Sequence, residues 1–166
     1  MINILAVIIM IVVFFSAIIV WWFTRDTTIV RIKRGQVMDF STAMNLAQLP
    51  IITFHQGKDK YNFIVDSGSS ASHINASVPI HHSPKLGTGT CFGAEGNMQK
   101  VNVFNITLYF KEREYKHEFW ATDLDEAFNN MKKQFGVTVH GLIGTDFMDK
   151  YKYVLDFKEK VLYARK

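Results

Sequence analysis

Asp66 stands apart from the other acidic residues by its setting: it closes the apolar run Phe63-Ile64-Val65 and opens a turn of Ser67, Gly68 and Ser69. Aromatic and β-branched residues in such a run favour a buried strand, which would hold the acid rigidly. Gly68 lets the main chain bend sharply and approach another backbone or a ligand closely. The Ser67 hydroxyl and the turn amides can hydrogen-bond a carboxylate and fix its orientation. A carboxylate held in this way suits general acid–base chemistry. Asp, Ser and Gly are also what any tight turn prefers, so taken alone they read more readily as a plain turn.

Other chemistries find less support. No Gly-x-Ser-x-Gly elbow marks Ser67, Ser69 or Ser70 as a nucleophile. The six histidines, His55, His73, His81, His82, His117 and His140, show no metal-binding spacing, so neither metal nor cofactor is expected, and His81-His82 reads as a solvated loop. Cys91 is the single cysteine; it allows no internal disulfide and reads as a quiet small residue. The net charge of +4 comes without a basic run interleaved with aromatics, and no nucleic-acid partner is expected.

The elements that must position Asp66 follow from patterning. Residues 4–23 carry no charge and are almost wholly apolar; as a helix they would span about 30 Å, enough to cross a bilayer. Trp21 and Trp22 fall at the interface, and no basic n-region or small-residue cleavage site argues for a removable signal. Residues 1–23 therefore read as a single-pass anchor. Arg25, Arg31, Lys33 and Arg34 follow it, which puts the rest of the chain on the cytoplasmic side. Residues 24–49 read as a juxtamembrane tether, with a short helix over residues 38–48 as the alternative, and residues 50–166 as one domain.

In that domain residues 51–55 and 61–65 read as a hairpin ending at Asp66, with a short strand within residues 72–79 and loop over residues 80–89. The glycine-rich residues 88–97 suit a mobile hairpin tip. Residues 101–110 and 115–121 read as two strands, with a bulge expected where Phe104 and Asn105 break the alternation. Residues 123–135 read as a helix, with Asp123 and Glu126 as a capping box and Gly136 as its stop. The sequons at Asn75 and Asn105 matter only in a compartment that glycosylates. Residues 146–151 read as a short helix capped by Thr145, and the chain closes on a hairpin of residues 153–157 and 161–163.

At Phe63 to Ser70, and again at Leu142-Ile143-Gly144, the chain resembles the retropepsin-like aspartic proteases, in membrane-anchored, bacterial-type form. Their signature is an apolar strand entering Asp-Thr/Ser-Gly, with a later aliphatic pair and glycine passing beside that loop. The likeness covers residues 50–164, in the right order. It implies a mainly β fold, a closed barrel with one or two short helices. It implies Asp66 as the catalytic acid, Ser67, Gly68 and Ser69 as its supports, and Leu142, Ile143 and Gly144 as the buttress. Gly93, Ala94, Glu95, Gly96 and Asn97 would be a flap over a peptide substrate.

The chemistry of that family needs two carboxylates sharing one proton, and the chain has one such motif. The resemblance thus implies a homodimer with Asp66 of each copy at the two-fold axis, favoured by confinement to a membrane. Thr145 stands where viral members carry a basic residue, and the helix at residues 123–135 is an addition to the smallest members. A domain of this type that dimerises or holds peptides without cutting them is the alternative, and a small structural membrane protein is a third.

Overall fold

The computed structural model describes Ser16 and residues 37–80, 83–92 and 98–164. The chain divides into two compact units, Met1–Arg31 and Ile32–Lys166. Of the first only Ser16, helical and exposed, is described, so the rest of the anchor expected at residues 4–23 and the basic residues after it lie outside the described residues. Among the described residues no helix is long and apolar enough to cross a membrane.

The second unit is mainly β. Its elements are β1 (Val37–Asp39), α1 (Ser41–Ala47), β2 (Ile51–Gln56), β3 (Asp59–Val65), β4 (His73–Asn75), β5 (Lys85–Phe92), β6 (Met98–Phe110) and β7 (Arg113–Thr122). They are followed by α2 (Asp125–Phe135), β8 (Gly141–Ile143), α3 (Thr145–Tyr151), β9 (Tyr153–Asp156) and β10 (Val161–Ala164). Six strands close a barrel in the order β2-β3-β8-β4-β7-β6, shut by His55 of β2 pairing with Tyr109 of β6. β5 continues outward from β6. Among the described residues of this unit three short helices accompany the barrel, where one or two were expected.

Alternation fills its interior. Tyr61, Phe63 and Val65 of β3, Ile106 and Leu108 of β6, and Tyr115 and Phe119 of β7 are buried together, as period-two patterning requires. Phe54 makes edge-on contacts with Phe63, Phe110, Tyr115 and Phe147, at centroid distances of 5.8, 6.1, 5.7 and 5.9 Å. Such ring pairs add to the burial of their area.

The break in alternation at Phe104 and Asn105 is not a bulge in β6. Pairing with β7 runs unbroken from Asn102↔Ala121 to Phe110↔Arg113. Instead β6 changes its buried face: Phe104, Ile106 and Leu108 face the barrel core, while Val101 and Val103, one parity off, are buried on the opposite side. The register shift lies in the partner strand, between Lys85 and Gly87.

The ordered body also begins before Pro50. β1 pairs antiparallel with β10, Met38 opposite Leu162, and Met38 and Phe40 are fully buried in the main core. Ala47 of α1 joins a smaller cluster with Ile51, Phe128 and Val139. From Val37 the presumed tether is therefore folded structure. Phe40→Ala should lower the free energy of unfolding by about 3–5 kcal/mol, measured by chemical denaturation; a loss below about 1 kcal/mol would show the segment to be loosely attached.

α2 starts two residues later than the pattern suggests. The expected capping box is replaced by Asp123 accepting the Asp125 amide at 3.1 Å and by Asn75 Oδ1 accepting the Leu124 amide at 3.0 Å. Its end is as expected: Gly136 takes φ +70°, the left-handed cap that glycine adopts without strain.

Candidate functional site

Asp66 sits at the C-terminal end of β3, half-buried, with Ser67 and Gly68 exposed and Ser69 half-buried. β8 is the neighbour that fixes it. Ile64 pairs with Leu142 and Val65 with Ile143 in parallel register, and the Asp66 amide donates to the Ile143 carbonyl at 2.9 Å. On its other side β8 pairs with β4, so it runs between the two strands that the Asp66 loop connects.

Within the loop the Gly68 amide donates to Asp66 Oδ1 at 2.9 Å, and the Ser69 hydroxyl donates to the Ala71 carbonyl at 2.7 Å. Positive φ occurs at Gly57 and Gly136 among the described glycines, not at Gly68. Gly68 instead lets the amide come close: a Cβ there would lie 3.2 Å from Asp66 Oδ1.

The segment after β8 clamps the loop at two further points. Thr145 donates to the Ser69 carbonyl through its amide at 2.8 Å and its hydroxyl at 3.2 Å, and the Gly144 amide donates to Ser72 Oγ at 3.0 Å. Thr145 is thus committed to the loop, and Gly144 is the residue that caps α3. Gly144 is required by proximity, since a Cβ would meet the Ala71 carbonyl oxygen at 2.5 Å.

Two residues of this clamp escaped the sequence reading as site residues. Asp146 accepts four hydrogen bonds: from the Ser72 amide at 2.9 Å, the Ser72 hydroxyl at 2.8 Å, the Phe147 amide at 2.7 Å and His117 Nε2 at 3.0 Å. Asp146 reads in sequence as a helix residue and His117 as one histidine of six. The available signal was parity, because His117 falls in the inward row Tyr115, His117, Phe119, where a polar ring needs a partner.

The electrostatics follow from these contacts. Burial alone would raise the Asp146 carboxyl, but donation from His117 and Ser72 outweighs it and holds the group below its ordinary value of 3.8. Burial pushes His73 below its ordinary 6.5, against the opposing pull of Asp146 and Asp66. His140 is lowered by burial too, and its Nδ1 accepts the Asn62 amide at 2.9 Å.

Both histidines resist a proton that the unfolded chain takes up, so the stability they contribute is full above 6.5 and declines as pH falls through their lower folded values. Asp146 contributes fully above 3.8 and loses this as pH falls through its depressed folded value. The melting temperature should therefore drop between about pH 7 and pH 5 and again below about pH 4. A melting temperature that is flat or rising on acidification would contradict this.

Gly93, Ala94, Glu95, Gly96 and Asn97 lie outside the described residues, as do His81 and His82. The arms flanking the former are described: β5 and β6 pair out to Phe92↔Met98, and both of these side chains are exposed. Trp120 packs against Gly89 of β5, where a Cβ would lie 2.6 Å from the indole. Surface depressions of about 530 and 560 Å³ flank Gly57 and Tyr109; Asp66 lines neither. Among the described residues no group of three or more His, Cys, Asp or Glu side chains is placed to hold a metal ion.

The arrangement presents one carboxylate where β3 enters a loop whose main chain is pinned at its start, middle and end by residues 143–146. No family model matches the chain, and no curated protein matches it.

Proposed function

We propose that this chain is a retropepsin-like aspartic endopeptidase that works as a homodimer, held at a membrane by residues 4–23 with its barrel on the cytoplasmic side. The observation that carries this reading is the pinned Asp66 loop, hung between β3 and β4 with β8 running between them. A plain turn needs no such enclosure. A rigid acid does, because acid–base catalysis depends on placing the carboxylate within a fraction of an ångström.

One such acid per chain cannot complete the reaction, so Asp66 of a second copy is the natural partner. Of the pair, the ionised carboxylate removes a proton from water, and the resulting hydroxide attacks the scissile carbonyl carbon. The protonated one polarises the carbonyl oxygen and then gives its proton to the departing nitrogen. An extended peptide would lie as an added strand beneath the β5–β6 hairpin, main-chain hydrogen bonds supplying affinity.

The test is incubation of the chain with a peptide library across pH, alongside Asp66→Asn. Cleavage that disappears with the carboxylate supports the enzyme. Peptide binding without cleavage in both forms would favour a tethered interaction module instead.

A further inference from the structure

His117 does more than fill the barrel. Its ring is packed edge-on to Phe147 and Phe119, with centroids at 5.1 and 5.5 Å. Nδ1 is buried with no hydrogen-bond partner, alone in this among the side-chain polar atoms of the described residues. For packing alone an apolar side chain would serve better, because a buried nitrogen without a partner is destabilising. What the imidazole adds is Nε2–H, aimed at Asp146 Oδ2 at 3.0 Å.

That bond completes the Asp146 shell. An ionised carboxylate offers about four lone-pair sites, and Ser72, Phe147 and His117 together fill four. With each site taken, the carboxylate has one orientation. Ser72 Oγ donates to it and accepts the Gly144 amide, and Gly144 follows Ile143, whose carbonyl holds the Asp66 amide.

We infer that His117 is a positioning residue for the Asp66 chemistry, acting through Asp146 and Ser72 on the far end of the catalytic loop. The inference rests on the reading of Asp66 as the catalytic acid. It differs from a packing role because only a donor at the Nε2 position is needed, which glutamine can supply and leucine cannot.

The test compares His117→Leu and His117→Gln in the full 166-residue chain, by kcat and KM on a cleaved peptide and by amide hydrogen exchange. The Leu variant should lose about 10- to 100-fold in kcat with KM within about threefold, and exchange at Ser72 and Gly144 should quicken at least about tenfold relative to the β6–β7 ladder. The Gln variant should recover both to within a few-fold. Equal losses in the two variants, or unchanged kcat and exchange in the Leu variant, would overturn the inference. If the Leu variant does not fold, His117→Asn, whose amide is too short to reach Asp146, replaces it under the same criteria. Should the unaltered chain cleave no peptide, the Asp66 reading fails by itself, and the exchange pattern still upholds or overturns the coupling of His117 to the loop.

Discussion

On the proposed reading, Asp66→Asn should reduce peptide cleavage by about 10³-fold or more while leaving the fold and the proposed dimer in place. Asparagine has the same shape and keeps an oxygen where Oδ1 accepts the Gly68 amide at 2.9 Å, so the loop has no reason to rearrange. What it lacks is the ability to take up or release a proton. Product formation followed by mass spectrometry, with sedimentation to establish the oligomer, checks both points. Residual cleavage within about tenfold of the unaltered chain would remove Asp66 from the chemistry.

Gly144→Ala should be strongly disruptive for a change of a single methyl group. Its Cβ would sit 2.5 Å from the Ala71 carbonyl oxygen and 2.6 Å from its carbon, with Asp146 Oδ1 at 2.9 Å. Two of those atoms are main chain and cannot swing aside as a flexible side chain would. Relief requires Ala71 to move, which drags Ser72 away from Asp146 and from the Gly144 amide. A loss of about 2–4 kcal/mol follows, or roughly 5–15 °C in melting temperature for a domain of this size. A melting temperature within about 2 °C of the unaltered chain would mean that the loop and β8 are less tightly apposed than described.

The strands that carry Asp66 were legible because their signals are local. The run ending at Val65, the turn after it and the aliphatic pair before Gly144 each lie within a few residues. The hairpin of β6 and β7 was equally plain from alternation and the charged turn at Lys111 to Glu114.

What stayed hidden depends on distant partners. Met38 and Phe40 look like part of a tether until β1 finds β10, more than 100 residues away in the chain. β5 reads partly as loop because glycines rarely build strands, yet Gly89 is what allows Trp120 to lie against it. Phe104 and Asn105 read as a bulge because alternation cannot distinguish an inserted residue from a strand that changes its buried face. The Asp146–His117 pair joins a helix start to a strand 29 positions earlier, and neither residue stands in a motif that would announce the other.

The proposed requirement for two copies of Asp66 is most directly tested by mixing equal amounts of unaltered and Asp66→Asn chains, letting them pair, and measuring cleavage at fixed total chain. Random pairing makes one dimer in four wholly unaltered, so activity of about one quarter is expected if each site draws one carboxylate from each copy. Activity of about one half would mean that each chain works with its own acid alone, and the shared site would be contradicted.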